Sequence, residues 1–530
     1  MEVNERTFDV IIVGGGATGG WAAKLLTEQG HSVLLLEAGP QLDIQSELRN
    51  LLAAATSSGR ADSFREAGEN KEPCTSLRRQ AVQSRCYAYN ERTRHLFIDD
   101  LDNPFVSCGA EPFAWIRARA IGGRMMLWNR VVLRMSDRQF KAASRDGLGV
   151  DWPISYSDLQ NDYTDVESFL GVQGMRENFE EVPDGCFVPT KLSKVAVEFQ
   201  RCVETRWPER RVTALRQVPF LRDRKVSALS SGKPEPSHCS AILAAEQTGR
   251  LTLRCNAVVS RVVTGHNGRL ATSVEYVDGN SLQAESARGR TVFLCASTIE
   301  TTRILLNSTS RHHPDGIGNS NGMLGTYLCD HTCVKVSGMR GVSSPAAGNV
   351  YVPNFRLSPD ERRTFSRGYG IQGLILPLDR TSIRCDLTSF GEMIPRADNR
   401  VTLSSGIKDK WGVPVAHIAF SYSDNEHEMA SDQAQQLTEM LQAAGYDLVE
   451  SAGLSAPGLS VHELGTARMG TDPSSSILNP HNQCWTVPNL FVTDGAAFAS
   501  AGFQNPTLSM LALTGRACRY ANESLRRGSW

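Results

Sequence analysis

The first forty residues constrain the fold more than any other part of the chain. Phe8 to Val13 form an apolar, β-branched run of strand length, followed directly by the glycine-rich segment GGGATGG and by a stretch with helical spacing. A second apolar run, Ser32 to Leu36, ends in Glu37. This order predicts a strand–turn–helix–strand unit of about 30 residues, the start of a Rossmann-like α/β dinucleotide-binding domain.

Each residue type in this unit has a physical task. Gly14 permits the tight turn, Gly16 allows the backbone to approach a pyrophosphate, and Gly19 allows the helix to pack closely on the strand. The free N–H groups at the helix start attract phosphate oxygens, and Glu37 can accept hydrogen bonds from ribose hydroxyls. The motif alone does not distinguish FAD from NAD.

A second nucleotide fingerprint would be needed if NAD(P)H bound beside a flavin. The one other glycine cluster is HPDGIGNSNG, with Gly316, Gly318 and Gly322. Polar residues precede it and predict no strand, so we interpret this segment as a loop.

Composition and charge exclude several classes of protein. The chain has 530 residues, and its 56 Lys and Arg against 57 Asp and Glu give a net charge of −1 without blocks of one sign. Nucleic acid or an anionic membrane is therefore not an expected partner. No apolar run approaches the roughly 20 residues that span a bilayer, and no signal peptide precedes the first strand, so we expect a cytoplasmic protein without membrane insertion.

The cysteines favour reduced thiols over a disulfide framework. There are 13, an odd number, and they are scattered along the chain. Cys329, His331 and Cys333 lie two residues apart, which is the period of a strand, and no second ligand pair follows. We therefore predict no metal site.

The middle of the chain alternates between two kinds of pattern. Residues 40–110 are polar and mixed, which predicts a long excursion across the surface or the cofactor. Leu251 to Val263 alternates as one strand, and Thr291 to Ala296 is an apolar strand followed by a helix. Between about 330 and 420 several alternating strands predict an antiparallel, β-rich second domain.

Paired glycines precede a bulky run at 120–128. Gly122 and Gly123 lie before Arg-Met-Met-Leu-Trp, where backbone could pack against a flat ring system. An ordinary turn into a core helix fits this composition equally well.

The last seventy residues contain the candidate chemistry. His462 lies in the segment VHELGTARMG, and Asp494 follows the apolar strand Asn489 to Val492. Pro506 and Thr507 fit a helix start whose N–H groups could face the electron-rich edge of a flavin. A lone histidine is more often structural than catalytic, so these residues alone do not settle the role of His462.

Over essentially its whole length the chain resembles the glucose-methanol-choline (GMC) flavoprotein oxidoreductase family. The matching segments are FDVIIVGGGATGGWAAKLL with LLLEAGP, CASTIETTRILLNS, and HELGTARMGTDP through VTDGAAFASAGFQNPTLSMLALTGRA. Further segments resemble the branch of glycoside 3-dehydrogenases, C-glycoside 3-oxidases and pyranose oxidases: QSRCYAYNERTRHLFIDDLDNPF, IGGRMMLW, VVLRMSDRQF and GEMIPRADNRVTL.

The resemblance implies a Rossmann-like FAD-binding domain with an inserted, β-rich substrate-binding domain. The implied FAD-binding parts are 1–160, 246–325 and 456–530, and the implied substrate-binding parts are 161–245 and 326–455. It also implies FAD-dependent oxidation of a sugar or glycoside hydroxyl, most simply a secondary ring hydroxyl at C3. Oxygen or an unknown carrier would reoxidise the flavin.

The resemblance assigns roles residue by residue. His462 matches the base that accepts the hydroxyl proton, and Asn505 matches the second residue of the active-site pair. The predicted FAD contacts are Gly14, Gly16, Thr18, Gly19, Glu37, Gly122, Gly123, Val258, Asp494, Gly495, Asn505, Pro506 and Thr507. Leu127 stands where covalent pyranose oxidases have the histidine that carries the flavin, so we expect noncovalent FAD.

Two substrate contacts are predicted from the β-rich region. Gln372 in GIQG and Glu392 in FGEM lie beside glycines in strands, where an amide and a carboxylate could bracket vicinal hydroxyls. Solvent-facing strand positions explain both equally well. Three alternatives to glycoside oxidation stay open here: oxidation of an aminoglycoside hydroxyl, a lyase on the same FAD-binding fold, and an NAD-dependent dehydrogenase.

Overall fold

The structure is a computed structural model. It describes residues 6–43, 47, 78–109, 111–180, 182–219, 240–355 and 364–530. About half of the excursion predicted for 40–110, namely 44–46, 48–77 and 110, lies outside the described residues.

The described strands, in chain order, are β1 (Thr7–Val13), β2 (Val33–Leu36), β3 (Val106–Cys108), β4 (Gln173–Gly174), β5 (Val188–Pro189), β6 (Leu251–Arg254), β7 (Ala257–Thr264), β8 (Ala271–Asp278), β9 (Ala284–Leu294), β10 (His331–Gly341), β11 (Gly348–Phe355), β12 (Tyr369–Pro377), β13 (Ser382–Glu392), β14 (Arg400–Lys408), β15 (Pro414–Ala419), β16 (Asp447–Ser451) and β17 (Leu490–Val492).

The longer described helices are α1 (Ala17–Glu28), α2 (Tyr156–Leu170), α3 (Lys194–Arg206), α4 (Ser240–Gln247), α5 (Thr298–Asn307), α6 (Asp424–Ala443) and α7 (Thr507–Arg527). Two short helices, Asp137–Phe140 and Ala142–Asp146, precede α2.

The nucleotide-binding sheet has seven strands in the order β6-β2-β1-β9-β8-β7, with β17 also paired to β9. The central strands β2, β1 and β9 run parallel, and β1 and β2 are almost wholly buried. Burial on both faces explains why these strands are continuous apolar runs in the sequence. The predicted strand–turn–helix–strand start is confirmed, with α1 between β1 and β2.

The second sheet is antiparallel, in the order β11-β12-β13-β10-β16. Helix α6 packs on β10 and β13, and α3 packs on β11. Together they enclose an apolar core that includes Val334, Val336, Ile371, Leu387 and Leu437. This is the β-rich layer that the alternating pattern between 330 and 420 predicts, although β14 and β15 join β3 in a separate three-stranded sheet.

Two local predictions differ from the structure. The single strand expected over 251–263 is two strands, β6 and β7, because Asn256 between them has a positive φ of 54°. The bulky run after the paired glycines forms only one 3-10 turn, Gly123–Met126, and not a core helix.

The implied domain division stays a prediction. Two of its predicted limits, at 160 and 245, fall inside helices of the structure. The limit at 160 falls inside α2, which packs against α7 of the nucleotide-binding layer. The limit at 245 falls inside α4, which packs on α1.

Candidate active site

The glycine-rich turn after β1 has the close backbone approach that its sequence predicts. Gly14 has a φ of +98°, and a Cβ atom there would lie 2.5 Å from the carbonyl oxygen of Cys295. A Cβ at Gly19 would lie 1.8 Å from the oxygen of Gly14, so helix α1 and the turn touch without room for a side chain. A Cβ at Gly16 would meet nothing within 4 Å. The loop therefore packs closely at Gly14 and Gly19 and has open space only beside Gly16 among these three glycines.

Glu37 braces this turn. Its Oε2 accepts a hydrogen bond from the N–H of Gly15 at 2.7 Å, and its Oε1 accepts one from Gly39 at 2.8 Å. Burial raises the pKa of the carboxyl, while these two N–H donors oppose that rise. Each carboxylate oxygen has a second lone pair, so both can still accept from ribose hydroxyls.

The Gly122–Gly123 segment lies against the same turn. The N–H of Gly122 donates to the carbonyl of Gly15 at 2.8 Å, and a Cβ at Gly123 would lie 3.2 Å from Cα of Gly16. Leu127 ends the 3-10 turn that begins at Gly123 and is partly buried among apolar side chains.

The remaining predicted cofactor residues surround the carboxyl ends of the central strands. Asp494 follows β17, accepts from the N–H of Ala496 at 3.0 Å and from Thr301 at 2.5 Å, and has its pKa raised to about 6 by burial. Thr507 begins α7 after Pro506. Thr18, Val258 and Gly495 are buried in or beside this sheet: Thr18 in α1, Val258 in β7, and Gly495 directly after Asp494.

These residues fit FAD. Helix α1 starts at Gly16 without a side-chain cap and without an acidic residue in its first turn, so its N–H groups are available to phosphate oxygens. The open space at Gly16, the braced carboxylate of Glu37 and the adjacent glycine segment have the chemistry that a dinucleotide requires.

His462 and Asn505 are distant in sequence and adjacent in space. Nδ2 of Asn505 lies 3.4 Å from Nε2 of His462. Nε2 of Gln372, on β12, donates to Oδ1 of Asn505 at 2.5 Å. The structure thus brings together three of the residues that the sequence singled out, two from the C-terminal segment and one from the β-rich sheet.

A second histidine, which the sequence did not indicate as functional, completes this cluster. His331 begins β10 and is fully buried, and its Nδ1 lies 2.9 Å from Nδ1 of His462. Burial, His331 and Arg124 together hold the pKa of His462 well below its usual value, with burial the largest cause. The half-buried imidazole of His462 is therefore neutral near pH 7 and able to accept a proton.

Two charged groups hold the backbone around His462. Asp330 accepts from the N–H groups of Gly458 at 3.0 Å and His462 at 3.3 Å, and burial raises the pKa of its carboxyl to about 6. Arg124, in the glycine-flanked turn, donates to the carbonyl of Val461 at 3.1 Å and to Glu463 at 2.6 Å. The turn beside the cofactor site and the histidine segment are thereby tied together.

Glu392 does not have the surroundings expected of a substrate contact. It is only 4% exposed, and its Oε1 lies 3.1 Å from Nη1 of Arg367. Arg367 is itself paired with Asp146 at 2.7 Å. The carboxylate is paired inside the protein with an arginine that it shares with Asp146, and substrate binding by Glu392 stays a prediction. Neither Glu392 nor half-buried Gln372 is a solvent-facing strand residue.

Tyr351 is a further polar group that the sequence analysis missed. It lies directly opposite Gln372 in the β11–β12 pair and is 2% exposed, and its hydroxyl has no hydrogen-bond partner among the described residues. A Cβ at Gly370 would lie 3.0 Å from that hydroxyl and 2.9 Å from the ring of Phe503. Aromatic strand residues are common, so no sequence signal distinguished this one.

Among the described residues, no group of three or more His, Cys, Asp or Glu side chains has a geometry that could hold a metal ion. In the same part of the chain, no helix has both the length and the apolar character needed to cross a membrane.

Comparison with known proteins agrees with this architecture. Residues 395–514 match the family model described as GMC oxidoreductase, and residues 12–47 match the NAD(P)-binding Rossmann-like domain. The 2-methyl-1,2-propanediol dehydrogenase of Mycolicibacterium austroafricanum is 27% identical, and the alignment covers 98% of this chain and 96% of that protein. The C-glycoside 3-oxidase of Arthrobacter globiformis is 26% identical, with 98% and 95% covered.

A solved structure shows the same fold. The crystal structure of pyridoxine 4-oxidase from Mesorbium loti matches with a TM-score of 0.58 and 16% identity over 97% of this chain and 98% of that one. These matches agree with the resemblance to the GMC oxidoreductase family that the sequence segments indicate. It is an FAD-dependent oxidoreductase that acts on alcohol groups.

Proposed function

We propose that this protein oxidises a secondary ring hydroxyl of a sugar or glycoside to the carbonyl, with C3 the favoured position, and that His462 is the catalytic base. The observation that carries the proposal is the contact between His462 and Asn505 at 3.4 Å, with Gln372 bonded to the same asparagine. A base, a neutral amide and a third polar group from the other sheet are what a hydroxylated ring needs for binding and deprotonation.

The protein's part in the reaction is proton removal and orientation. Bound FAD supplies the two-electron acceptor for the carbinol hydrogen. The loop at Gly14–Gly19, Glu37, the Gly122–Gly123 segment and Asp494 would hold it. His462 accepts the hydroxyl proton at Nε2, and Asn505 hydrogen-bonds the substrate oxygen without titrating.

The wall beside this cluster suits a sugar ring. The ring centroid of Phe390 lies 5.2 Å from that of His462. Phe503, which lies two residues before Asn505, packs against Tyr351. The partly exposed ring of Phe390 can cover the C–H side of a sugar, while the amide of half-buried Gln372 offers a hydrogen bond to one of its hydroxyls. The names of two relatives, a C-glycoside 3-oxidase and a dehydrogenase of a small diol, support a hydroxylated substrate.

The test is an anaerobic screen of the purified holoenzyme for flavin bleaching. The panel contains free sugars, O-glycosides, C-glycosides, aminoglycosides and 2-methyl-1,2-propanediol, with 3-deoxy analogues as matched controls. We expect glycosides to bleach the flavin fastest and 3-deoxy analogues to fail. Bleaching by the small diol alone, or by none of the compounds, would contradict the proposal. Admission of air afterwards shows whether oxygen reoxidises the flavin or a carrier is needed.

A further inference from the structure

His331 lies where it can determine which nitrogen of His462 is basic. It is the first residue of β10, fully buried, and its ring meets that of His462 edge-on, with centroids 5.0 Å apart at 84°. Both of its ring nitrogens are engaged: Nδ1 with Nδ1 of His462 at 2.9 Å, and Nε2 with the carbonyl oxygen of Gly502 at 2.8 Å.

The protons of this chain of contacts can be assigned one by one. A carbonyl oxygen only accepts hydrogen bonds, so Nε2 of His331 carries a hydrogen. Burial lowers the pKa of His331 to about 4, so the ring is neutral near pH 7 and its Nδ1 has a free lone pair. Nδ1 of His462 must then be the donor in the contact between the two rings. The lone pair of His462 is left on Nε2, the nitrogen that faces Asn505.

We propose that His331 is a positioning residue that fixes His462 in the Nδ1–H tautomer and keeps its basic Nε2 beside Asn505. This inference rests on the proposed role of His462 as the base. In the proton-transfer step the substrate O–H bond breaks and an N–H bond forms at Nε2 of His462. The resulting imidazolium keeps its Nδ1–H bond to the lone pair of His331, and a hydrogen bond from a charged donor is stronger than one from a neutral donor.

The same contacts exclude a proton relay through His331. Its Nε2–H points at the carbonyl of Gly502, which has no proton to give and accepts none at ordinary pH. The transferred proton therefore stays on His462 until it leaves from the substrate side. The role of His331 is orientation and stabilisation of charge, not proton conduction.

His331 also links the two active-site segments. Gly502 lies three residues before Asn505, so one ring bonds to the base on one side and to the loop of the asparagine on the other. The backbone of the base is held separately by the neighbouring Asp330, which accepts from the N–H of His462 at 3.3 Å. Loss of the His331 ring should therefore free the imidazole of His462 while its backbone stays in place.

The test observes the tautomer directly. FAD-loaded protein labelled with ¹⁵N in its histidines gives different shifts for protonated and unprotonated ring nitrogens. Loss of one pair of signals in His462→Ala identifies His462 among the 11 histidines. We expect a protonated Nδ1 and an unprotonated Nε2 for His462 at pH 7.5. Protonation at Nε2 alone would overturn the proposal without reference to any substrate.

Variants separate hydrogen bonding from packing. His331→Leu removes the acceptor, and we expect a mixed tautomer with kcat lower by about tenfold to a hundredfold, part of the 10²–10⁴ that a general base contributes. His331→Asn keeps an oxygen that can accept from Nδ1, so it should restore the tautomer and most of kcat. Phe390→Leu disturbs the packing of both rings without touching a hydrogen bond and should leave the tautomer unchanged.

The outcomes distinguish this inference from the proposed function. If His331→Leu fails to fold, the wild-type spectrum and His331→Asn still decide the tautomer. A His331→Leu protein that keeps the Nδ1–H tautomer and the wild-type kcat would overturn the role of His331. Failure of every sugar to reduce the flavin would overturn the substrate class but leave the tautomer assignment intact.

Discussion

The side-chain amide of Gln372 donates to Oδ1 of Asn505 at 2.5 Å, so the NH₂ group of Asn505 is turned towards Nε2 of His462. A residue of the antiparallel sheet thus sets the orientation of an amide in the C-terminal segment. Two sheets with separate cores thereby meet at one cluster of polar side chains.

We predict that Gln372→Leu weakens substrate binding more than it slows the reaction. Without its donor, the amide of Asn505 can rotate, and a sugar loses one polar contact. KM should rise by about tenfold, the effect of roughly 1.4 kcal/mol. Steady-state kinetics measure KM and kcat, and the FAD-to-protein absorbance ratio checks that cofactor content is unchanged. An unchanged KM across the glycoside panel would mean that Gln372 has a purely structural role. Lys335→Leu, on another strand of the same sheet, is the control.

His462→Ala should retain FAD and lose most of its alcohol oxidation. The substitution removes the base but leaves the Gly14–Gly19 turn and Glu37 intact, so the rate of anaerobic flavin reduction should fall by about 10²–10⁴. Asn505→Ala should cost less, about 1–3 kcal/mol in kcat/KM, because it removes a hydrogen bond and not a base. If Asn505→Ala were the more damaging change, the two roles would have to be exchanged.

FAD should be released intact by acid or denaturant. Leu127, at the end of the 3-10 turn, has no nucleophilic atom with which to form a bond to the flavin. Precipitation with trichloroacetic acid should leave a yellow supernatant and a colourless pellet. A yellow pellet would show covalent attachment through some other side chain.

Tyr351→Phe should leave both the melting temperature and KM for glycosides unchanged. The hydroxyl is buried and has no partner among the described residues, so its removal costs neither folding stability nor a substrate contact. Thermal unfolding and steady-state kinetics measure the two quantities. A fall of several degrees in melting temperature would mean that the hydroxyl serves the fold, and a raised KM would mean that the substrate reaches it.

The stability advantage of the wild type over His331→Asn should shrink as the pH falls from 6.5 to 4. Unfolded His331 binds a proton near pH 6.5, whereas burial lowers its folded pKa to about 4, so acid stabilises the unfolded chain of the wild type alone. The difference in unfolding free energy should narrow by about 3 kcal/mol over this range, since each pKa unit corresponds to about 1.4 kcal/mol.

The wild type is compared with His331→Asn because other buried groups change the unfolding free energy in the opposite direction, and they do so in both proteins. Burial raises the pKa values of Asp330 and Asp494 to about 6, so their protonation favours the folded state as the pH falls. Denaturant titrations of both proteins at each pH measure the gap, and exposed His427→Asn serves as control. A constant difference would mean that folding does not lower the pKa of His331.

Local pattern predicted the nucleotide-binding part of the molecule well, because its determinants are adjacent in sequence. The strand, the glycines and Glu37 lie within thirty residues and need no distant contact to be recognised. A local pattern also singled out Gln372 as a substrate contact, and its side chain contacts Asn505.

The rest depends on contacts between distant residues. The sequence around His331 indicates only a strand position. Its contact with His462 joins residues that are 131 positions apart, so no local pattern predicts it. Arg124 and Tyr351 are equally inconspicuous, since a guanidinium or a phenol in a mixed segment has many possible partners. The pairing of Glu392 with Arg367 was likewise invisible, because nothing near Glu392 in the sequence indicates it.

The position of β17 has a consequence for how the enzyme acquires its cofactor. This strand pairs with β9 in the nucleotide-binding sheet, and the helix that follows Asn505 packs on α1 beside the glycine turn. A ribosome adds roughly 5–20 residues per second, so β1 and α1 wait on the order of tens of seconds for these partners. The nucleotide-binding layer is therefore complete only after the last segment of the chain, which also carries Asn505, has been synthesised.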